Sequence, residues 1–184
     1  VPGTGYYRRK KAASLLKASG VKQPSYLIPK LCQFANRHFF SRFNVNDPFM
    51  KIRYLNFMQA ISNTRYAYTD GSYLDYSVRK FFEIPALGTV LMCSPSIAYE
   101  NFGFKHSVNS VVVEPAEFLD AIKGLEDDPL RAQRIADEGR QLIFEKHSLS
   151  ARSNDLRRSL EAIQCGNYNG ADWRDGELTL RNPV

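Results

Sequence analysis

The stretch that decides the fold runs Thr69-Asp-Gly-Ser-Tyr-Leu-Asp-Tyr-Ser-Val-Arg-Lys-Phe-Phe-Glu-Ile-Pro-Ala-Leu-Gly-Thr-Val-Leu-Met-Cys93. Its order of residue types predicts a polar loop with a glycine, then a helix, a glycine turn and a short buried strand. On that helix Asp75, Arg79 and Glu83 recur at every fourth position and form one stripe beside an apolar face. The stripe is either ordinary amphipathic design or the wall of a site, because a loop that opens a helix directs unpaired backbone N–H groups at the space before it.

Length and composition indicate one globular domain. The chain has 184 residues, of which 43% are hydrophobic, so we expect a domain over residues 1–165 and a tail over 166–184. Val1 is not an initiator methionine, which suggests a piece of a longer chain. No apolar run reaches the roughly 18 residues of a membrane span, and no signal-peptide pattern opens the chain. The three cysteines are far apart, which predicts free thiols in a reducing, cytoplasmic setting.

The net charge of +6 favours anionic partners. A phosphorylated small molecule, nucleic acid and a solvated surface all fit this charge. The basic cluster Arg8–Lys11 and the aromatic, basic stretch Leu31–Phe43 would suit single-stranded nucleic acid, but packing of aromatic side chains explains the second stretch better, and nucleic acid is an unlikely partner. The three histidines are scattered, so no zinc spacing and no metal site is predicted.

Along the rest of the chain, short apolar runs alternate with helical patterns. A glycine-containing loop, which is either a phosphate loop or a plain turn, precedes a helix that ends before Gly20. The helix predicted over 47–62 has a buried face formed by Tyr54, Leu55, Met58 and Ile61. The core positions of the helix predicted over 129–147 are Leu130, Ile135, Leu142 and Ile143. Predicted strands are 65–69, 89–93 and 110–114, and predicted helices are 8–19, 47–62, 115–125, 129–147 and a last one from 148 or 150. In the tail, Trp173 is an anchor unless the tail is disordered.

This order predicts an α/β fold, a Rossmann-like doubly wound parallel sheet with a C-terminal helical cluster. In such sheets ligands bind at the carboxyl ends of the strands. The loop Asp70–Tyr73 and the loop after Cys93 both follow strands, so both are expected at that edge. This placement favours a site over a plain amphipathic helix.

Over residues 48–164 the chain resembles the C-terminal half of GT-B glycosyltransferases, in the "glycosyl transferases group 1" family and its spore-maturation-protein-like branch. The resemblance is carried by Glu83-Ile-Pro-Ala-Leu-Gly88, by Val111-Val-Val-Glu114, by Asp127-Asp-Pro129 and by Ile135-Ala-Asp-Glu-Gly-Arg140, in this order. The family places an acidic residue, usually Glu, eight positions before the second Glu. Here that position holds Asp75, whose shorter side chain is a departure.

The resemblance implies a nucleotide-sugar donor site that needs no cofactor and no protein metal. Glu83 would accept hydrogen bonds from the ribose hydroxyls, and Arg79 would contact the pyrophosphate. The catalytic role, contact with the transferred sugar, would fall to Asp75. Backbone N–H groups at the start of the helix would also meet the pyrophosphate; they belong to Gly71, Ser72 and Tyr73.

The same residues also fit roles that involve no ligand. Glu83 would otherwise pair with Arg79 on an exposed face, and Asp75 would be a helix cap or a solvent-facing acid. Lys105 and His106 lie in a loop that is a candidate to face the site; the alternative is that neither residue takes part in it. The family also implies an N-terminal GT-B domain, absent from this sequence, and a glycan or other acceptor, so this domain alone is expected to be inactive. A non-catalytic α/β interaction module is the alternative function.

Overall fold

The structure is a computed structural model that describes residues 7–20, 48–72 and 74–181. The helices are α1 (Tyr7–Ala18), α2 (Pro48–Ser62), α3 (Lys80–Ala86), α4 (Phe118–Glu126), α5 (Pro129–Leu142) and α6 (Leu149–Gln164), with a π-helical turn at Ile143–His147. The strands are β1 (Tyr66–Thr69), β2 (Val90–Cys93), β3 (Val111–Val112), β4 (Ala171–Arg174) and β5 (Glu177–Leu180). The predicted glycine loop before α1, the aromatic stretch 31–43 and residue 47, the first of the second predicted helix, lie outside the described residues.

Three strands form a parallel sheet in the order β1-β2-β3. Tyr66 is opposite Val90, and Met92 is opposite Val111. All four residues of β2 are buried, because a central strand covered on both faces requires an unbroken apolar run. The prediction of a parallel α/β sheet is therefore confirmed. Each strand begins one residue later than predicted; β1 and β2 end at the predicted residue, and β3 ends two residues earlier.

Alternate strand residues enter two separate cores, one on each face of the sheet. The first core packs α1, α4 and α5 on one face; it contains Ala12, Leu16, Tyr68, Val90, Met92, Val111, Phe118, Ile122 and Ile135. The second core packs α2, α3 and the π-helical turn on the other; it contains Ile61, Ala67, Phe81, Ile84, Leu91, Cys93, Phe104 and Ile143. Helices on both faces of a parallel sheet define the doubly wound arrangement that the sequence predicts.

An aromatic cluster extends the second core. The buried Phe104 ring lies 5.8 Å from Phe82 and 5.6 Å from Tyr99, and His147 stacks on it at 6.3 Å. His147 Nε2 lies 2.8 Å from the carbonyl oxygen of Phe102, and its Nδ1 contacts the Arg152 guanidinium. Burial, and to a lesser extent the charge of Arg152, lower the pKa of His147 to about 4, although the hydrogen bond with the Phe102 carbonyl opposes the change.

The start of α3 differs from the prediction. The helix begins at Lys80, and not at the loop Asp70–Tyr73, because the chain before it turns with positive φ at Ser72 (65°) and Asp75 (55°). Asp75 is therefore not on the helix, and the predicted stripe through Asp75, Arg79 and Glu83 is wrong at its first member. Pro85 lies inside the helix, which ends one residue later. An early end is expected because proline has no backbone N–H to donate and its ring clashes with the carbonyl four residues before it.

Several apolar residues that the helical spacing predicted to be buried are exposed to solvent. Tyr54 is 41% exposed and Leu55 is 56% exposed, although the prediction buried both, and Leu130 is 79% exposed. On α6 no residue is fully buried. The apolar residues of α6 share one side and point to solvent; they are Leu149, Leu156, Leu160 and Ile163. Spacing defines a stripe on a helix, but only tertiary packing decides which face meets the core.

The tail forms an antiparallel hairpin of β4 and β5. Trp173 of β4 lies 5.7 Å from the Phe102 ring, and the Arg152 guanidinium lies over the indole at 3.8 Å. Lys146 pairs with Glu177. These contacts make Trp173 the anchor of the tail. The predicted division between a domain over 1–165 and a tail over 166–184 stays a prediction.

One close approach fixes α5 against its neighbours. A Cβ on Gly139 would lie 2.6 Å from the carbonyl oxygen of Asn109 and 3.2 Å from Pro85 Cβ. The backbone of α5 therefore touches the loop before β3 with no side chain between them. Within the described helices, Gly124 of α4 offers a contrast, because a Cβ there would meet nothing within 4 Å.

We expect opposite effects from the same substitution at these two helical glycines. Gly124→Ala should raise the free energy of unfolding by about 0.5–1 kcal/mol, because alanine has the higher helix propensity. Gly139→Ala should lower it by about 1–3 kcal/mol, because the added methyl forces the backbones apart. Urea denaturation of both variants measures the difference, and equal midpoints would contradict the close packing of α5.

His147 should make stability depend on pH. Its lowered pKa keeps the ring neutral in the folded state, while the unfolded state, with a pKa of about 6.5, takes up a proton. Stability should therefore be full above about pH 6.5 and fall as the pH drops towards 4. The loss should stay below the roughly 3 kcal/mol expected for a fully buried ring, since His147 is partly exposed.

His147→Phe should flatten this dependence between about pH 6.5 and 4. Chemical denaturation at several pH values measures it for both proteins. A variant with the same slope as the parent in that window would show that another group causes the pH dependence.

Candidate functional site

The loops after β1 and β2 join at the carboxyl edge of the sheet. Tyr76 and Ile97 form an isolated parallel bridge, and the Ile97 N–H donates to the carbonyl oxygen of Asp75 at 2.6 Å. The Ser77 and Ser96 hydroxyls lie 2.7 Å apart. The prediction that both loops meet at this edge is confirmed.

A buried ion pair lies directly beneath these loops. Arg9 of α1 donates through Nε to Asp70 Oδ1 at 2.6 Å, and the two side chains are only 6% and 2% exposed. Asp70 is the residue that follows β1, so the pair fixes the start of α1 at the carboxyl edge of the sheet. The prediction treated Asp70 as a loop residue and Arg9 as part of a basic cluster. No local signal in the sequence joins residues so far apart.

Gly71 and Ser72 shape the first loop. A Cβ on Gly71 would lie 2.7 Å from the carbonyl carbon of Asp75, so the loop folds back on itself at a distance that only glycine allows. The N–H of Gly71 donates to Ser94 Oγ, and that of Ser72 donates to Asp70 Oδ1, each at 3.4 Å. Both contacts are long, and weak contacts of this kind leave the N–H groups able to exchange partners. Tyr73 lies outside the described residues.

Asp75 forms an ion pair with α1. Arg8 Nη1 lies 2.5 Å from Asp75 Oδ1, and Arg8 Nε lies 3.8 Å from Glu114 Oε2, just after β3. The Asp75 side chain is 45% exposed. Asp75 therefore does not cap a helix; it faces solvent beside a guanidinium. Arg8 links the ends of β1 and β3 across this edge.

Glu83 lies in the first turn of α3 and faces α2. Its Oε1 accepts from Arg79 Nε at 2.8 Å and from the Tyr54 hydroxyl at 3.1 Å. The Glu83 side chain is only 10% exposed, whereas that of Arg79 is 74% exposed. The expected pairing with Arg79 is present, but Glu83 is not on an exposed face. Burial and the hydrogen bond to Glu83 raise the pKa of Tyr54.

The second carboxylate oxygen of Glu83 lacks a hydrogen bond. Oε2 is buried, and none of the described residues donates to it. A buried acceptor of this kind costs free energy, and few are found in folded proteins. The Tyr68 hydroxyl and Thr69 Oγ1, at the end of β1, are also buried without a hydrogen bond to any described residue, but only Glu83 is a residue to which the sequence assigned a donor-binding role.

Lys80, which the sequence analysis did not single out, adds charge beside Glu83. Burial, with the Arg9 guanidinium as a smaller cause, lowers its pKa to about 8, while Asp70 and Glu83 oppose the change. Lys80 Nζ lies 5.7 Å from the centre of the Phe57 ring. The only sequence signal for this residue was its place between Arg79 and the buried Phe81.

An open cavity of about 630 Å³ lies beside the joined loops, past the end of β2. It is lined by Pro95, Ser96, Ala98, Tyr99, Glu100, Asn101, His106 and Val112. His106 thus faces this cavity, whereas Lys105 turns away and pairs with Asp175 of the hairpin at 3.3 Å. Of the two loop residues that the sequence left open, His106 is the one near the candidate site.

Residues 7–20, 48–72 and 74–181 contain no group of three or more His, Cys, Asp or Glu side chains that could hold a metal ion. No helix in this part of the chain combines the length and apolar character that crossing a bilayer requires.

The chain belongs to the glycosyl transferase-like family, whose model matches residues 40–158. This match spans the sheet, both loops and α3, so it includes every predicted site residue. No curated protein shows significant sequence similarity to the chain.

Among solved structures, the fold is similar to that of the Anabaena protein HepE, crystallised in complex with UDP. The TM-score is 0.50 and the sequence identity is 14%; the similarity covers 83% of this chain and 53% of HepE. At this identity the comparison supports the Rossmann-like fold alone. The chain spans about half the length of HepE.

The Arg9–Asp70 pair allows a test of how the candidate site is held. Asp70→Asn should lower the free energy of unfolding by about 1.5–3 kcal/mol, because the buried guanidinium loses its charged hydrogen bond to this carboxylate. Asp120→Asn, at an exposed position of α4, should change it by less than about 0.5 kcal/mol. Urea denaturation compares the two, and similar small effects would show that Arg9 is not held by Asp70.

Proposed function

We propose that this chain is the nucleotide-sugar donor-binding domain of a glycosyltransferase. The observation that carries the proposal is the unpaired, buried Oε2 of Glu83, in a chain of the glycosyl transferase-like family. A carboxylate with one free oxygen suits the neighbouring hydroxyls of a ribose, which both donate hydrogen bonds. Tyr54 and Arg79 contact the other oxygen and are 41% and 74% exposed, so both have room to move aside for a ligand.

The cations around the first loop support binding of a diphosphate through Arg79 above all. Cationic and anionic side chains are equal in number there, with Arg8, Arg9, Arg79 and Lys80 against Asp70, Asp75, Glu83 and Glu114. Arg79 is the exposed member and would reach the pyrophosphate. Contact between the pyrophosphate and the N–H groups of Gly71, Ser72 and Tyr73 is part of the proposal, although α3 begins only at Lys80.

The catalytic role that we propose for Asp75 is electrostatic. Its carboxylate would contact the transferred sugar at the carboxyl edge of the sheet, after exchanging Arg8 for substrate. Departure of the nucleoside diphosphate would be assisted by positively charged groups fixed in advance. Transfer to a glycan or other acceptor would need a second, N-terminal GT-B domain, and we propose that the isolated chain binds donor without transferring sugar. A cytoplasmic location remains part of this proposal.

A non-catalytic interaction module is the second candidate, and one observation favours it. The Asp75 carboxylate is already paired with Arg8 at 2.5 Å, so the position that the family fills with its first acid is occupied by a partner within the chain. Nucleic-acid binding is less supported, because Arg8 and Arg9 of the basic cluster are both engaged by carboxylates.

Glu83 provides the decisive test of donor binding. UDP is the first ligand to try, because HepE was crystallised with it; GDP, TDP and their sugars follow. Isothermal titration of the 184-residue chain should show binding, and Glu83→Ala should weaken it about 10- to 100-fold, the effect of losing charged hydrogen bonds worth about 1.5–3 kcal/mol.

Tyr54→Phe is the matched control. It removes one donor to Glu83 Oε1 and leaves the carboxylate in place, so binding should stay within about threefold of the parent. If no nucleotide binds and Glu83→Ala lowers only the thermal stability, Glu83 is a structural residue and the proposal is wrong.

A further inference from the structure

The cavity beside the joined loops has the chemistry of a carbohydrate site. Its side chains combine a carboxylate, an amide, a hydroxyl and an imidazole, from Glu100, Asn101, Ser96 and His106. These groups accept and donate hydrogen bonds in the mixed pattern that sugar hydroxyls require. Its volume of about 630 Å³ falls within the usual range for small-ligand sites, roughly 300–1,000 Å³.

The remaining walls are apolar. Pro95, Ala98 and Val112 line the cavity with the ring of Tyr99, whose hydroxyl is 2.7 Å from Ser110 Oγ and is satisfied inside the protein. A sugar ring carries C–H faces as well as hydroxyl edges. A cavity with polar groups on part of its wall and an apolar surface on the rest matches both.

The hydrogen bonds of His106 define what it offers to a ligand. The Val112 N–H donates to His106 Nδ1 at 3.0 Å, so Nδ1 is the acceptor and the neutral ring carries its proton on Nε2. That N–H is then available as a donor. Within the described residues, neither the Glu100 carboxylate nor the Asn101 side-chain amide forms a hydrogen bond or an ion pair, so the cavity offers donors and acceptors together.

The charge of the cavity differs from that of the first loop. Its described lining residues include no lysine or arginine, and Lys105 is engaged by Asp175. A phosphate would find the carboxylate of Glu100 here and no cation. The arginines and Lys80 lie instead around the loop after β1. The loop after β1 therefore suits the diphosphate, and the cavity suits an uncharged group rich in hydroxyls.

The cavity is also continuous with the candidate donor site. Ser96 lines it and bonds to Ser77 of the first loop, while the neighbouring Ile97 donates its N–H to the Asp75 carbonyl. We infer that this cavity is a glycosyl-binding subsite, in which Glu100, Asn101 and His106 hold sugar hydroxyls. The inference rests on the proposed function in one respect: the sugar is that of the donor or a saccharide acceptor.

Two arms of one experiment distinguish these sources. In the first, titration compares UDP with UDP-glucose, UDP-galactose and UDP-N-acetylglucosamine. A donor sugar in the cavity makes at least one UDP-sugar bind more tightly than UDP, and Glu100→Gln and His106→Ala should each reduce that advantage about tenfold while UDP affinity is unchanged. Glu138→Gln, at an exposed position of α5, is the matched control and should leave the advantage intact.

In the second arm, free glucose, galactose, N-acetylglucosamine and their disaccharides are added to the ¹⁵N-labelled chain without nucleotide. An acceptor saccharide should shift the amide resonances of Ser96, Glu100, Asn101 and His106, and Glu100→Gln should abolish these shifts. Amide spectra also show whether each variant is folded; Glu100→Gln keeps the argument testable if His106→Ala, which removes the acceptor for Val112, does not fold.

The outcomes separate the two proposals. Shifts at the cavity without any nucleotide binding would support the glycosyl subsite and count against the donor-binding function. Nucleotide binding with no advantage for any sugar, and no shifts at the cavity, would overturn the subsite and leave the donor-binding function standing. An advantage that persists in both cavity variants would also overturn it.

Discussion

The buried ion pair between Arg9 and Asp70 is the constraint on which the candidate site depends. Taking two charges out of water is expensive, and their attraction repays the cost only at short range and in fixed geometry. The 2.6 Å contact therefore allows little variation in where α1 begins relative to β1. Because Arg8 directly precedes Arg9 in the same helix, its approach to Asp75 and Glu114 follows from the position of Arg9. The buried pair thus determines where the guanidinium groups of α1 lie at the carboxyl edge of the sheet.

The three acidic residues near this edge differ in what holds them. Asp70 is fully engaged and structural, Asp75 is half-exposed and paired with a single guanidinium, and Glu83 is buried with one oxygen unpaired. Binding favours groups that are held in place yet incompletely satisfied, because little ordering is then lost when a ligand arrives. Glu83 best meets both conditions. Asp75 has to give up an ion pair before it can contact a substrate, which makes its proposed role the more demanding one.

Much of the fold was predictable from the sequence because its signals are local. The apolar run Val90–Cys93 specifies a buried central strand, and the spacing of Phe118 and Ile122 specifies a helix against it. The start of α3 was not predictable, since the left-handed turn at Asp75 depends on the contact with Ile97 from another loop. Exposure of Leu130 and Leu156 was equally hidden, because spacing defines a stripe without saying what covers it. The Arg9–Asp70 pair and the cavity around His106 arise from residues distant in sequence, which no local pattern connects.

The glycine at position 139 has a consequence for the loop that carries His106. With no side chain between them, the α5 backbone touches Asn109 directly, and the Asn109 side chain bonds to the Lys105 N–H and the Gly103 carbonyl. The loop from 103 to 110 therefore packs directly on α5 at one end, and the Asn109 side chain holds its two ends together by hydrogen bonds. Segments joined in this way open as one cooperative unit. We therefore expect this wall of the cavity to open together with α5, although its residues belong to a loop.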